Sequence, residues 1–530
     1  IFVHLPPCGI RNLIKMIPDQ VWPGWSILNR GEAMKKVQRF LMNAMIMTAT
    51  SLLMNGIGVW FNVYISNRLG AQGMGVFQLL MSVYAFAVTF ATSGISLAAT
   101  RLVAEETARP GGSAAAAMRR CLIYALTFGG AAALFLYVGA PAIGRYCLES
   151  VQTIRPLRAM ALSMPFLAMS CALGGYFTAV GHVAKSAASQ ILEQFLKITL
   201  SIIGLTYLIT DNLESACMAI MWAGVAAEGL SFLLALILYL YDVHHRRGPA
   251  RTAGLSHRLL KIALPVAISS YLRSGLSTVK NLLVPLRLQA AGLARGDAFA
   301  AFGAVHGLAL PVILFPAALL NSFSSLIVPE VAERHVRERS VAHLIERMFS
   351  LNLFCSLGIC GALFAFANEI GAALSPNPDV GVYIRLLAPV IPIMYLDTAV
   401  DCMLKGMDEQ LSVMRYNVVD AALSMALVYI LLPIMGIKGY ILVICLSEVF
   451  NFSLSLGRLI KVTKFELDLT ERVVKPILCI AISVLATKIM SHAGLFSDAT
   501  VLLGACAPVA AAAVLYLLLT RLCGIDPRRI

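Results

Sequence analysis

The chain has 530 residues, of which 59% are hydrophobic and only 13% are charged, and its mean hydropathy is +0.80. Soluble proteins carry about 25% charged and 45–50% apolar residues, so the composition excludes a water-soluble globule. Because no single apolar core grows to this size, the excess apolar surface must face lipid. A net charge of +14 is typical of membrane proteins with basic cytoplasmic loops, and we expect no nucleic-acid partner.

Residues 1–33 differ in character from the rest of the chain. They contain four prolines and no apolar run long enough to cross a bilayer, and they do not resemble a signal peptide. The stretch Arg30-Gly31-Glu32 before Met34 is typical of a purine-rich ribosome-binding sequence read as protein. We therefore expect residues 1–33 to be a non-native upstream extension and Met34 to be the native start.

From residue 40 onward, apolar stretches alternate with short polar breaks. A helix needs about 20 apolar residues to cross a bilayer, and the pattern predicts an all-α polytopic membrane protein with about 14 transmembrane helices. The predicted spans, numbered in chain order, are 40–66, 76–99, 120–144, 157–180, 187–209, 216–241, 259–285, 299–327, 349–374, 381–404, 412–435, 437–460, 473–492 and 499–522.

The distribution of Lys and Arg predicts the orientation of these spans. If the N-terminus is cytoplasmic, the inside segments carry 28 basic residues and the outside segments carry nine. Because basic residues concentrate in cytoplasmic loops, we expect a multi-pass protein of the plasma membrane with both termini in the cytoplasm.

The two halves of the chain contain matching residues in the same order. The offset is 219 positions up to Arg68, 228 at Glu105 after a longer loop at 288–298, 225 at Gly181 and 220 at Glu228. The matched pairs are Arg39 with Arg258, Gly56 with Gly275, Asn62 with Asn281, Arg68 with Arg287, Val103-Ala104-Glu105 with Val331-Ala332-Glu333, Gly181 with Gly406, and Glu228 with Glu448.

This repeat predicts the domain organisation. Each unit holds six spans, an even number, so both units enter the membrane from the same side and are related by an axis along the membrane normal. We expect two six-helix lobes with a cleft between them and two additional C-terminal helices. The predicted boundaries are 34–241 for the N-lobe, 242–258 for a cytoplasmic linker, 259–460 for the C-lobe and 473–523 for spans 13 and 14.

Span 7 carries two cations inside the predicted membrane. Arg273, Ser277 and Lys280 lie on one face of the helix, and intramembrane charges usually face a cavity or a partner. We interpret them as a cationic stripe lining the cleft, suited to a phosphate-bearing ligand; pairing with a carboxylate and a misplaced span are the alternatives. Asn281 and its repeat partner Asn62 complete the candidate substrate-binding residues.

Acidic residues inside other spans are candidates for ion coupling. Asp397 and Asp401 share one face of span 10 with Lys405, so they indicate either a carboxylate site for H⁺ or Na⁺ or a simple Asp401–Lys405 pair. Glu228 and Glu448 are ion sites or symmetric packing anchors. Glu193 and Lys197 are also four residues apart, and we expect a local salt bridge between them.

Other motifs exclude some classes of chemistry. The twelve cysteines include no CxxC pair and are interpreted as small core residues, neither a disulfide framework nor a metal site. The sequence has no GxxxxGK[ST] loop for ATP, so we expect no cofactor beyond a coupling ion. A membrane glycosyltransferase would be expected to carry a sizeable external catalytic loop, whereas the longest outside connection is about a dozen residues.

Three stretches resemble a known family. They are Asn67–Gln78, which contains Leu-Gly-Ala-Gln-Gly-Met-Gly, Ser93–Glu105, and Gln190–Gln194. They are similar to the stage V sporulation protein B-like polysaccharide transporters of the multidrug/oligosaccharidyl-lipid/polysaccharide (MOP) exporter superfamily. The resemblance implies two six-helix lobes, often two extra helices, and transport of undecaprenyl-pyrophosphate-linked sugars.

Lipid II flippases, which are close relatives in that superfamily, line their central cavity with arginines from several helices. Here the first span has no Arg between Arg39 and Arg68, and the cations concentrate on span 7. From the cationic stripe and the resemblance together, we expect a flippase for a lipid-linked cell-wall precursor. Cell-wall synthesis enzymes are expected as further partners, and a role in sporulation is implied by the resemblance alone. The alternatives are a cation-coupled multidrug exporter of the same superfamily and a membrane glycosyltransferase.

Overall fold

The structure is a computed structural model that describes residues 30–108, 113–148, 150–207, 212–244, 255–321, 324, 328, 331, 341–463, 470–493 and 501–522. In these ranges the regular structure is helical, with no β-strand, which confirms the predicted all-α fold. Most of the predicted upstream extension and most of the predicted linker lie outside the described residues.

The α-helices occur in the following order along the chain. In the first half they are α1 (Arg30–Thr92), α2 (Ile95–Ala108), α3 (Ala114–Ala142), α4 (Ile154–Ala161), α5 (Met164–Ala179), α6 (Val183–Tyr207) and α7 (Leu213–His244). In the second half they are α8 (Leu255–Ala290), α9 (Arg295–Gly303), α10 (Leu310–Leu314), α11 (Ala342–Ala365), α12 (Ala367–Leu374), α13 (Asp379–Leu387), α14 (Ile391–Gly406), α15 (Gln410–Thr463), α16 (Lys475–His492) and α17 (Val501–Leu522).

The longest helix of the second half, α15, folds back on itself. Its break is Gly436, whose φ of 59° is a left-handed conformation that favours glycine. Ser447 Oγ donates to Asp420 over 2.6 Å although the two residues are 27 apart, a separation of about 40 Å along a straight helix. We call the two antiparallel parts α15a (410–435) and α15b (437–463).

Helix α1 has the same construction. Gly70, with φ of 71°, interrupts the helical backbone, and Thr50 and Thr92 from its two parts line one cavity. We call the parts α1a (30–69) and α1b (71–92). Both breaks fall between spans that the apolar pattern separates, namely spans 1 and 2 and spans 11 and 12.

Several predicted spans are less regular than expected. Nine helical segments of the described residues are long and apolar enough to cross a membrane, or ten if the pair 151–161 and 164–179, bent by 42°, forms one span. Two of these segments, Ala49–Thr107 and Gln410–Thr463, contain the hairpins at Gly70 and Gly436. The number of fourteen crossings stays a prediction.

Local chemistry explains two of the irregularities. Span 2 was expected to end at residue 99, but the chain turns at Gly94, whose φ is 76°, and α2 then continues to Ala108. Span 10 is divided by a 3-10 turn at Ala388–Val390, where Pro389 lacks the backbone N–H that an α-helix needs.

The two halves of the chain cross at repeat-related glycines. A Cβ atom on Gly75 of α1b would lie 2.0 Å from the carbonyl oxygen of Phe299 in α9, and one on Gly303 would lie 2.5 Å from the Gly75 nitrogen. Gly75 and Gly303 are 228 positions apart, the same offset that relates Glu105 to Glu333. The crossing therefore lies close to the pseudo-twofold axis.

A second pair of contacts follows the same symmetry. The Cβ position of Gly56 lies 3.3 Å from Phe315, and that of Gly275 lies 3.4 Å from Phe86. Gly56 and Gly275 are one matched pair, and Phe86 and Phe315 occupy nearly equivalent positions in the two halves. Reciprocal contacts of this kind are expected of a twofold arrangement, and they support the predicted parallel repeat, whose exact lobe boundaries stay predictions.

The glycine crossing gives a test of this packing. We expect Gly75→Ala to destabilise the protein by about 1–3 kcal/mol, because the added methyl group would meet backbone atoms of α9 that cannot move aside easily. Thermal unfolding of the detergent-purified protein measures the effect. Gly58→Ala on α1a is the matched control, since nothing lies within 4 Å of its Cβ position; equal melting temperatures for the two variants would contradict the close crossing.

Near the other end of α1b, an ion-pair group joins the two halves. Arg258 at the start of α8 donates to Glu106 over 2.8 Å and also contacts Glu105 of α2. The Cβ position of Gly94 lies 2.5 Å from the carbonyl oxygen of Ala263 in the same part of α8. The Arg258 group is therefore a candidate closure between the two halves at this end, and its location in the cytoplasm stays a prediction.

Loss of Arg258 should loosen this closure. Glu106 is 6% exposed, so Arg258→Ala removes a charge-assisted donor from a buried carboxylate. We expect faster amide hydrogen exchange in α2, measured by mass spectrometry, because local opening becomes easier. Lys261→Ala, an exposed cation one turn along α8, is the control; unchanged exchange in the Arg258 variant would show that the ion pairs do not hold the two halves.

Candidate functional site

The predicted cationic stripe lies in the middle of α8. Arg273 and Lys280 are 18 and 25 residues from Leu255 in this 36-residue helix, or about 27 and 37 Å along its axis. The helix packs against α1b of the other half: Ser274 Oγ lies 3.2 Å from Thr89 Oγ1. The stripe is therefore next to the boundary between the halves, and its role in lining a cleft stays a prediction.

Lys280 lies among carboxylates that belong to α15. Its electrostatic neighbours include Asp420 of α15a and Glu448 of α15b, as well as Arg273. Asp420 also accepts the Ser447 hydroxyl, which holds its carboxylate in place. Lys280 thus has carboxylate neighbours, as in the alternative interpretation of span 7.

Arg273 has neighbours of the same kind. Asp401, Asp420 and Glu448 all lie within its electrostatic reach. Its side chain is nevertheless exposed, which leaves the guanidinium accessible to a ligand. The carboxylates therefore balance the charge of Arg273 without covering it.

Asp397 and Asp401 are almost fully buried on α14. Their exposed fractions are 9% and 8%, and both receive hydrogen bonds from α15. Asn451 Nδ2 donates to Asp397 Oδ2 over 2.9 Å, and Asn417 Nδ2 donates to Asp401 Oδ2 over 3.3 Å. The other Asp397 oxygen, Oδ1, is buried without a hydrogen-bond partner among the described residues, so it is open to a proton or a cation.

Asp401 and Lys405, whose pairing was one of the two alternatives for span 10, interact through space. Lys405 lies one turn from Asp401 and acts on it through space, but its side chain is exposed. The hydrogen bonds to Asp401 come instead from Asn417 and from Ser455 Oγ, at 3.4 Å.

These residues form one group in the second half of the chain. We call it the C-lobe charge group, and its members are Arg273, Lys280, Asp397, Asp401, Asp420 and Glu448. Four carboxylates accompany two cations, so full ionisation leaves a negative excess inside the membrane. Because uncompensated intramembrane charge is costly, the group favours uptake of a cation or a proton.

The three uncharged residues of the predicted substrate site, Asn281, Ser277 and Asn62, lie on two different helices. Asn281 lies next to Lys280 and donates to Ser82 Oγ of α1b over 3.2 Å, while its Oδ1 is buried with no partner among the described residues. Ser277 is half-buried on α8, and Asn62 is half-buried on α1a in the other half of the chain. Asn281 therefore belongs to the contact between the halves.

Glu228 lies in a separate group in the first half. Tyr84 OH donates to Glu228 Oε1 over 2.6 Å, and Glu228 Oε2 is buried without a partner among the described residues. Glu193 and Lys197 of α6 are its charged neighbours. Within the described residues, Glu193 and Lys197 interact through space and the expected salt bridge between them stays a prediction.

The structure thus divides the predicted ion-coupling residues between two places. Asp397, Asp401 and Glu448 belong to the C-lobe charge group, and Glu228 does not. The sequence interpretation missed Asp420 and the two asparagines, Asn417 and Asn451. The signal for Asp420 was present, because it is an acidic residue inside the apolar span 412–435.

Comparison with known proteins decides the family. The model of the family described as "Polysaccharide biosynthesis protein" matches residues 40–319, which is more than half of the chain. The chain belongs to this family. A second family model, MatE, matches residues 265–430, and both matches agree with membership of the MOP superfamily.

Individual relatives extend over most of the chain. It is 24% identical to Stage V sporulation protein B of Bacillus subtilis (strain 168) over 449 residues, which cover 82% of this chain and 86% of the relative. It is 21% identical to Lipid II flippase MurJ of the same organism over 446 residues, covering 78% and 80%.

A solved structure shares the fold. The chain superimposes on "Lipid II flippase MurJ, inward closed conformation" with a TM-score of 0.67 and 12% identity, covering 91% of this chain and 98% of that one. At this identity the similarity shows the fold alone. The shared fold agrees with the membership of the MOP superfamily that the two family matches indicate.

Proposed function

We propose that the protein is a flippase for an undecaprenyl-pyrophosphate-linked cell-wall sugar, related to lipid II, and that it works by alternating access. The observation that carries the proposal is the pair of cations on α8, with an accessible Arg273 next to the contact between the halves. The names of two relatives, a sporulation protein and a lipid II flippase, support this substrate class.

The charge group suits a pyrophosphate. A guanidinium binds two phosphate oxygens at once, and an ammonium adds a compact point charge. Since Asp420 and Glu448 neighbour the same two cations, a bound pyrophosphate competes with them. The carboxylates that lose their cations then take up H⁺ or Na⁺, so ligand binding and ion binding become linked.

The lipid tail does not need to enter this polar group. It remains in the bilayer, and we propose that the lipid-facing side of α16 and α17 accommodates it while the two lobes rock around the head group. The head group then moves from the cytoplasmic to the external side. Retained export after deletion of α16 and α17 would contradict the role of these two helices.

One alternative has an observation in its favour. The four carboxylates of the C-lobe charge group, together with the MatE match at residues 265–430, are compatible with a cation-coupled multidrug exporter. Such a protein would bind an organic cation in preference to a pyrophosphate lipid. The exposed Arg273 disfavours it, because like charges repel.

A competition experiment separates the two functions. The detergent-purified protein is offered lipid II, undecaprenyl phosphate and the organic cation tetraphenylphosphonium, and native mass spectrometry identifies what it retains. We expect selective retention of lipid II. Retention of tetraphenylphosphonium alone would refute the flippase proposal and support the drug exporter.

A further inference from the structure

The first half of the chain contains a cavity with many hydroxyl groups in its wall, and no member of the C-lobe charge group lines it. Its volume is about 490 Å³. Parts of α1, α2, α5, α6 and α7 enclose it, and Ser and Thr side chains dominate its wall. The polar residues used below are Thr92, Thr178, Ser189, Gln190, Glu193 and Ser231.

Four hydroxyl groups of this wall have their protons engaged and remain acceptors toward the cavity. Thr92 and Thr178 each donate to the backbone carbonyl four residues earlier, over 2.8 and 2.9 Å. Ser189 donates to the carbonyl of Lys185 and Ser231 to that of Ser189, over 3.2 and 2.9 Å. A hydroxyl has one proton and two lone pairs, so these four groups present oxygen lone pairs to the cavity.

Glu193 strengthens this acceptor character. Glu193 is one of the residues that line the cavity, and an ionised carboxylate only accepts hydrogen bonds. A phosphate would be repelled by it, and a prenyl chain would supply no donors to the hydroxyl lone pairs. The complementary ligand is therefore neutral and rich in O–H and N–H donors, which describes a sugar.

The cavity lies close to the cationic stripe. Val88 and Thr92 of α1b are wall residues, and Thr89 between them lies 3.2 Å from Ser274, the residue after Arg273. One turn of α1b, about 5.4 Å, thus connects the cavity wall with the α8 contact. A molecule with its pyrophosphate at Arg273 has its sugar next to this cavity.

We propose that this cavity, in the first half of the chain, is the binding site for the sugar portion of the lipid-linked substrate. The inference rests on the proposed function, since it assigns the sugar and the pyrophosphate of one molecule to different lobes. Closure of the lobes then requires both portions, because each lobe holds one of them. A pyrophosphate lipid without a sugar would engage only the second half.

The test compares two lipids that differ in the sugar. Binding of lipid II and of undecaprenyl pyrophosphate to the full-length protein in detergent is titrated by native mass spectrometry. The test variant is Gln190→Ala/Glu193→Ala. Gln194→Ala is the matched control, because Gln194 lies on the same helix and is not one of the wall residues.

We expect the wild type and the control to bind lipid II at least tenfold more tightly than undecaprenyl pyrophosphate. In the test variant this preference should fall to within twofold, with undecaprenyl pyrophosphate binding unchanged. A preserved preference would overturn the sugar site while leaving the proposed function intact. Failure of the wild type to bind either lipid would overturn the proposed function and the sugar site with it.

Discussion

Replacing both cations of α8 should abolish binding of the pyrophosphate lipid. A hydrogen bond to a charged group contributes about 1.5–3 kcal/mol, so Arg273→Ala and Lys280→Ala should each weaken lipid II binding by roughly 10- to 150-fold. The double variant should show no measurable binding at micromolar lipid and no export. Binding is titrated in detergent, and export is measured in reconstituted vesicles.

Two further variants keep this prediction testable. Removing Lys280 takes away one of the two cations that neighbour Asp420 and Glu448, and an uncompensated buried charge can destabilise a protein by about 3–5 kcal/mol. Lys280→Met/Asp420→Asn preserves the charge balance and should still lose lipid II binding. Arg273→Lys retains the charge but loses two-oxygen recognition, so it should fall between wild type and Arg273→Ala. Wild-type affinity in the double alanine variant would refute the role of the stripe.

The second large effect concerns the cation dependence of binding. Because the carboxylates and the pyrophosphate share the same two cations, we expect lipid II affinity to rise with Na⁺ concentration or with acidity. Asp397→Asn/Asp401→Asn should reduce this dependence by taking two of the four carboxylates out of the C-lobe charge group, while Asp420 and Glu448 remain next to the cations. The measurement is lipid II affinity over a series of Na⁺ concentrations and over a series of pH values.

The first half of the chain supplies the matched control for this experiment. Glu228→Gln changes a carboxylate that is also buried and also bonded, to Tyr84, but lies outside the C-lobe charge group. It should leave the cation dependence as in wild type. The linkage is wrong if Asp397→Asn/Asp401→Asn retains the full dependence, or if Glu228→Gln alone removes it.

Much of the fold follows from the sequence because lipid imposes a simple rule on it. Every backbone polar group in the bilayer must be satisfied internally, so long apolar stretches become helices. The hairpin glycines Gly70 and Gly436 lie in the predicted breaks between spans. The bends near Gly94 and Pro389 were missed, because a helix interrupted by one turn keeps the same apolar composition.

The candidate site was predictable in part. Repeat partners occupy equivalent places in different lobes, so Glu228 and Glu448 were not suited to one common site, and the structure separates them. The cations of α8 stood out because charge is rare inside spans. Asn417 and Asn451 did not stand out, since their role depends on which helices face Asp397 and Asp401, and that is a property of tertiary packing.

The most direct test of the central claim is transport of lipid II in vesicles that contain the purified protein. We measure how fast lipid II from the opposite leaflet becomes accessible to an externally added probe. The rates are compared for wild type, Arg273→Ala/Lys280→Ala and Lys261→Ala. We expect fast transfer with wild type and Lys261→Ala, and the rate of protein-free vesicles with the double variant. Equal transfer by all three proteins, or none by wild type, would contradict the account of α8 as the head-group binding helix of a flippase.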